Sequence, residues 1–136
     1  MPTLNLEIVT PEARIFSGEA LMVTAPGVDG DLGILPEHMP LMTQIHPGEL
    51  HVTTPSGDIF LAVGEGFLEV LPDRVSVMTD MAESDSEIDE KAAEEAVERA
   101  RKAMTEKTLS GEELATVQSS LLRSLAKLHV KRRTHR

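Results

Sequence analysis

The chain has 136 residues and a formal net charge of −10, with three Phe, no Trp, no Tyr and no Cys. That length suits one compact domain or a small domain with an appendage, around an aliphatic core. The missing rings leave no stacking platform for nucleic acid, and the missing thiols exclude disulfides, thiolate zinc sites and cysteine nucleophiles.

The first half predicts strands. Leu4, Leu6 and Ile8 alternate with polar neighbours, as do Ile59, Leu61 and Val63, then Val75 and Val77. Period two marks a sheet with one buried face. Turn signals punctuate the run: Pro26-Gly27, Asp29-Gly30, Pro47-Gly48, Pro55 to Asp58, Gly64-Glu65-Gly66 and Pro72-Asp73. Strands are expected near 3–9, 13–17, 19–25, 32–35, 41–46, 49–54, 58–63, 66–71 and 74–79, the pattern of a sandwich or barrel. Within this half, the segment Gly30 to Leu41 is unusual. Pro36 and Pro40 fix φ and constrain the residues before them, and Gly30 and Gly33 permit rare backbone shapes. A specific bent path results, with Ile34, Leu35, Met39 and Leu41 available to anchor it.

The pattern changes at Ser84. No Pro follows Pro72, and the one later Gly is Gly111. Ser86 with Asp89 resembles a capping box. Ile88, Ala92, Ala93, Ala96, Val97, Ala100, Ala103 and Met104 then fall at helical spacing. A break at Thr108 to Gly111 follows, and Ser110 with Glu113 forms a second box. Leu114, Val117, Leu121, Leu125 and Leu128 repeat at steps of three and four. An Ala stripe facing a Leu ridge permits a close antiparallel hairpin. The Ala stripe buries little area, so its docking is expected to be marginal. The fold class is thus α+β: a flattened antiparallel β-sandwich over residues 1–85, then a two-helix hairpin with a basic tail over 86–136.

Charge divides along the same line. Residues 1–85 hold two basic residues, Arg14 and Arg74, against fourteen carboxylates, while 86–136 hold eleven against nine. The last twenty residues have six bases and no acid. Such asymmetry reports either partners or a solvated tail. No run approaches the ~20 apolar residues of a membrane span, and the first residues lack the character of a signal peptide; a soluble chain is expected.

Catalytic chemistry finds no foothold. No two of the five His fall at metal-ligand spacing, so no metal site is expected. Ser17, Ser56 and Ser110 lack a nucleophile-elbow context. Gly27 to Gly33 is glycine-rich but has no following Lys, and its carboxylates would repel phosphate. His38, between two prolines, reads first as a turn histidine. The residues alone describe a binding or coupling module. One form of it would be a stand-alone small-ligand-binding β-sandwich with a regulatory helical arm.

Gly30-Asp31-Leu32-Gly33-Ile34-Leu35-Pro36-Glu37-His38-Met39-Pro40-Leu41 resembles the signature of the epsilon subunit of F-type ATP synthases. Phe16-Ser17-Gly18, Ile45-His46-Pro47-Gly48 and Gly64 to Val70 resemble further family motifs, in the right order. The resemblance implies a non-catalytic central-stalk subunit of a proton-translocating synthase. Its partners would be the gamma subunit and the polar loops of the c-ring. It would reach the membrane through the complex alone, at the cytoplasmic face of the cell inner membrane. Asp31 and His38 fall at family positions near the c-ring and stalk contact, with Gly30, Gly33 and Pro36 shaping the loop. In some members the hairpin extends toward an acidic loop of the beta subunit and blocks hydrolysis. Arg123, Lys127, Lys131, Arg132 and Arg133 are the residues that could do so here. Some members bind ATP at the folded hairpin. Glu83, Asp89 and Arg99 match that site, but Ala92 stands where the motif has arginine, so no ATP cofactor is expected.

Overall fold

The computed structural model describes residues 2–106 and 108–134; His135 and Arg136 of the basic tail lie outside them. Ten strands come first: β1 (Leu4–Val9), β2 (Arg14–Ala20), β3 (Met22–Gly27), β4 (Gly30–Ile34), β5 (Leu41–Ile45), β6 (Gly48–Thr54), β7 (Gly57–Val63), β8 (Gly66–Val70), β9 (Arg74–Thr79) and β10 (Ala82–Ser84). A 3-10 turn (Asp85–Glu87) leads to α1 (Glu90–Glu106) and α2 (Gly111–Thr134).

The strands form one sheet in the order β10-β7-β6-β3-β5-β8-β9-β1-β2, with β4 paired to β3. β3 meets β5 at a single register pair, Gly27 with Ile45. The sheet turns a corner there and closes on one core. Pairing is antiparallel except between β1 and β9, which run parallel. Inward positions on alternate residues supply the core: Leu4, Leu6 and Ile8 from β1, Leu50 and Val52 from β6, Leu68 and Val70 from β8, Val75 and Val77 from β9. This aliphatic packing is what the ring-poor composition requires.

β7 departs from simple alternation. Its Leu61 and Val63 enter the sandwich core, while Ala62 joins a second cluster with Ile88, Ala126 and Val130, flanked by Phe60 and Met81. The run Ile59 to Val63 is apolar on both faces because α2 covers the outer one. α2 has a second apolar side, where Leu121, Leu125 and Leu128 meet Ala93 and Val97 of α1. The docking is therefore not marginal in the way the Ala stripe implies: α2 uses two faces, one against α1 and one seated on the sandwich.

Local ends differ from expectation in three places. Gly18 does not separate two strands but pairs with Leu6 inside β2. β10 is new, since three residues are too few to show alternation. The first capping box sits two residues earlier than expected. The Ser84 N–H and its hydroxyl both donate to Glu87 Oε1, at 3.0 and 2.8 Å. Two hydrogen bonds from Ser84 hold the Glu87 carboxyl below the ordinary carboxylate range. Asp89 instead caps α1, its Oδ1 accepting from the Ala92 N–H at 3.0 Å. The second box is as expected: Glu113 N–H donates to Ser110 Oγ at 3.1 Å, and Ser110 N–H to Glu113 Oε1 at 3.2 Å.

Candidate docking surfaces

The segment Gly30 to Leu41 begins as an edge strand. A two-residue turn, Val28-Asp29, joins Gly27 to its partner Gly30, whose φ of 121° only glycine adopts readily. Asp31 is exposed opposite Pro26 and lines an open depression of about 390 Å³ shared with Glu49, His51 and Arg133. Past β4, Glu37 takes φ 67° and donates its N–H to Pro72 O at 2.9 Å, tying the loop to the β8–β9 turn. A carboxylate-bearing residue in the left-handed region is uncommon and stores strain. His38 is half-buried, its Nδ1 2.7 Å from Met39 O and its N–H bonded to Leu35 O. It holds the turn together. Asp31 and His38 therefore lie at opposite ends of β4 rather than in one cluster. Ile34 is buried and Leu41 half-buried, so these two anchor the segment, while Leu35 (56% exposed) and Met39 (78%) point to solvent and do not.

A second surface lies on the outer side of β5, β8 and β9. Gln44 pairs with Phe67, and Phe67 with Met78, so their side chains share a face; Met42 follows beside Glu69. Phe67 is 48% exposed and Met42 59%, with Met78 partly bare. Val28 and Leu122 extend the patch across the sandwich edge onto α2. Exposed apolar side chains in one contiguous patch ordinarily mark an interaction site. The signal in the sequence was small: Phe67 breaks the polar side of an otherwise alternating strand.

The basic residues of α2 are not loose. Arg123 Nη1 lies 3.5 Å from Asp80 and donates to Ser119 Oγ, which in turn donates to Glu65. Lys127 Nζ is 2.9 Å from Glu83. Lys131 donates to the Asp85 carbonyl at 2.9 Å and lies 4.0 Å from its carboxylate. Arg133 and His129 converge on Glu49 Oε2 at 2.9 and 2.8 Å. The Arg133 guanidinium also stands 5.3 Å over the Phe60 ring, which stacks on His51 at 4.4 Å. Arg132 alone of the five turns to α1, bonding Glu90 and Glu94 at 3.1 and 3.2 Å. Those carboxylates, the bond to Glu90 first, raise its pKa further. The acidic body and basic tail are thus partners of one another within this chain.

The residues matched to a nucleotide site are spread out. Glu83 is engaged by Lys127 and Asp89 by its helix cap. Arg99 lies on the exposed side of α1 with Glu94, Glu95 and Glu98. Arg99 lies ten positions beyond Asp89, or ~15 Å along the helix at 1.5 Å per residue. Among the described residues no group of three or more His, Asp or Glu is arranged to hold a metal, and no helix is long and apolar enough to cross a membrane.

A filled core, a bare apolar face and a charge-latched arm define a docking module. The chain belongs to the ATP synthase delta/epsilon chain family: the family's beta-sandwich domain matches residues 3–85 and its long alpha-helix domain residues 86–132. It is 45% identical to an ATP synthase epsilon chain of Dehalococcoides mccartyi over 137 residues, covering 99% of this chain and 98% of the relative. An epsilon chain of Laribacter hongkongensis is 40% identical, covering 99% and 100%. In fold, the chain resembles one chain of the Euglena gracilis mitochondrial ATP synthase (OSCP/F1/c-ring), with TM-score 0.79 and 21% identity over 95% of this chain and 81% of the other. A chain of the Tetrahymena thermophila mitochondrial ATP synthase central stalk and c-ring gives TM-score 0.59 at 15% identity, covering 98% and 96%.

Proposed function

We propose that this chain is a non-catalytic rotor subunit of a proton-translocating F-type ATP synthase, turning with the central stalk and coupling c-ring rotation to ATP synthesis. The observation that carries the reading is the match of both family domains, in order, to a chain whose sandwich keeps an apolar face uncovered. In this reading the Met42, Phe67 and Met78 face seats the gamma subunit. Leu35 and Met39, with Asp31 at the other end of β4, meet the polar loops of the c-ring. Gly30, Gly33 and Pro36 set the path of that edge, and His38 holds its turn. An acidic and apolar edge against basic polar loops gives register and modest affinity, which suits a joint that must hold under rotation. The subunit then sits peripherally at the cytoplasmic face of the cell inner membrane, held there by the complex.

The chain does no chemistry of its own in this role. ATP at the folded hairpin is at most a weak ligand, because Ala92 replaces the motif arginine and Glu83 and Asp89 already have partners. The hairpin is a regulatory arm: lifted from the sandwich, Arg123, Lys127, Lys131, Arg132 and Arg133 present a basic face to an acidic loop of the beta subunit and restrain ATP hydrolysis. Deleting residues 86–136 from the reconstituted complex tests this. Hydrolysis should rise several-fold while the sandwich stays bound; unchanged hydrolysis would remove the regulatory role.

A further inference from the structure

The chain carries seven Met and no Cys, Trp or Tyr. Thiols and electron-rich rings are the usual rivals for a mild oxidant, so thioether sulfur is what a peroxide meets first here. The fold sorts these sulfurs by access. Met22, Met81 and Met104 are half-buried. Met39 (78% exposed), Met42 (59%) and Met78 (37%) stand out into solvent. Met39 lies in the proline bend, before β5 begins. Met42 and Met78 belong to the bare face and flank its ring. Met78 pairs directly across from Phe67, and Met42 lies two residues from Gln44, the partner of Phe67 on its other side. The side chains that complete the patch, Phe67, Val28 and Leu122, are hydrocarbon and have no such chemistry.

We propose that Met42 and Met78 are an oxidative modification site that decides whether the bare face can seat its partner, a proposal that rests on the reading of that partner as the gamma subunit. A peroxide supplies the oxygen. A sulfur lone pair attacks one peroxide oxygen, and the S–O bond forms as the O–O bond breaks. The departing hydroxide takes the remaining peroxide proton and leaves as water. Sulfur loses two electrons and the peroxide gains them. The product is a polar, chiral sulfoxide. Two of them beside Phe67 turn the middle of an apolar patch polar, and pressing that patch against another apolar surface strips water from both oxygens. In the free chain the oxygens stay solvated, so the change falls on binding and not on folding. Once the face is covered the sulfurs are out of reach, so the site acts on the chain before assembly. Sulfoxide is reduced back to thioether by dedicated reductases, which makes the mark reversible.

Hydrogen peroxide on the full chain, followed by peptide mass mapping, should oxidise Met39, Met42 and Met78 ahead of Met22, Met81 and Met104. Bound gamma subunit should protect Met42 and Met78 and leave Met39 reactive. The oxidised parent should bind gamma about tenfold or more weakly than the untreated parent, the scale of a contact near the centre of an interface. Its melting temperature should stay where it was. Both stereospecific methionine sulfoxide reductases together should recover the binding. The double variant Met42→Leu with Met78→Leu keeps side-chain volume and takes no oxygen, so peroxide should shift its own gamma affinity by less than about twofold. Its Met39 is oxidised as in the parent, which makes the comparison internal. Equal losses in parent and double variant would overturn the site. So would full oxidation of Met42 and Met78 with binding intact, or a fall in melting temperature that tracks the lost binding. An untreated parent that fails to bind gamma would sink the seating of gamma, and this proposal with it; the other adverse outcomes leave that reading standing.

Discussion

β7 and β8 carry similar sequences on opposite sides of the fold, yet their outer faces meet different fates. β7 turns Phe60 and Ala62 outward, and α2 covers them with Ala126, Val130 and a border of ion pairs. β8 turns Phe67 outward beside Met42 and Met78, and among the described residues no helix covers it. Both faces are apolar, so both gain by leaving water. What separates them is the chemistry around the rim. The β7 face is ringed by Glu49, Asp80, Glu83 and Asp85, each matched to a base on α2. The β8 face has Gln44 and Glu69 at its edge and no matching helix. One face is closed by the chain's own arm, and the other stays open to solvent.

The most damaging test of this contrast lies under the arm. Val130 is fully buried in the seam on β7. Val130→Asp would place an unpaired carboxylate there, at a cost of ~3–5 kcal/mol. The expected outcome is a folded sandwich with a displaced hairpin, seen as rapid proteolysis confined to residues beyond 88. Loss of the sandwich fold along with the hairpin would mean the two parts are one cooperative unit, and the contrast between them would fail.

The bare face predicts the converse. Phe67→Glu should leave the melting of the free chain nearly unchanged, within ~0.5 kcal/mol, since the ring contacts little of the chain's own core. Binding to the gamma subunit should weaken by ~30-fold or more, the scale of an interface hot spot. Titration of the purified subunits checks both numbers. A stable variant that binds as well as the parent would remove β8 from the docking surface.

This contrast is only half legible in the sequence. Alternation marks β1, β8 and β9 because each buries one face. The unbroken run Ile59 to Val63 reads as a strand, but nothing local says that its second face belongs to α2. The charge division between residues 1–85 and 86–136 is plain, yet the pairing is not. Lys131 and Asp85 are 46 positions apart, and which base meets which acid depends on the register of α2 over β7 and β10. Asp89 shows a related limit. Its spacing reads as the partner of Ser86 in a capping box, whereas it caps α1 itself. The exposure of Leu35 and Met39 is hidden in the sequence, since apolar residues beside prolines read as anchors.

The smallest expected effect concerns the hinge between the two parts. The Ser84–Glu87 box fixes the turn by which the chain leaves β10 for α1. Because its hydrogen bonds lower the Glu87 pKa in the folded state, the group favours folding at pH above the ordinary carboxylate value. That contribution fades as pH falls through the lowered folded value. Glu87→Gln keeps an acceptor but loses the charge, so it should cost the parent's advantage at neutral pH. Glu87 is exposed, and solvent screening limits the loss to about 0.5–1 kcal/mol, the range of a cap contact. Denaturant midpoints at neutral pH and near pH 3 decide the matter: the two chains should differ in the first and converge in the second. An equal difference at both would assign the effect to shape rather than charge. The turn at Ser84 would then serve as a plain connector.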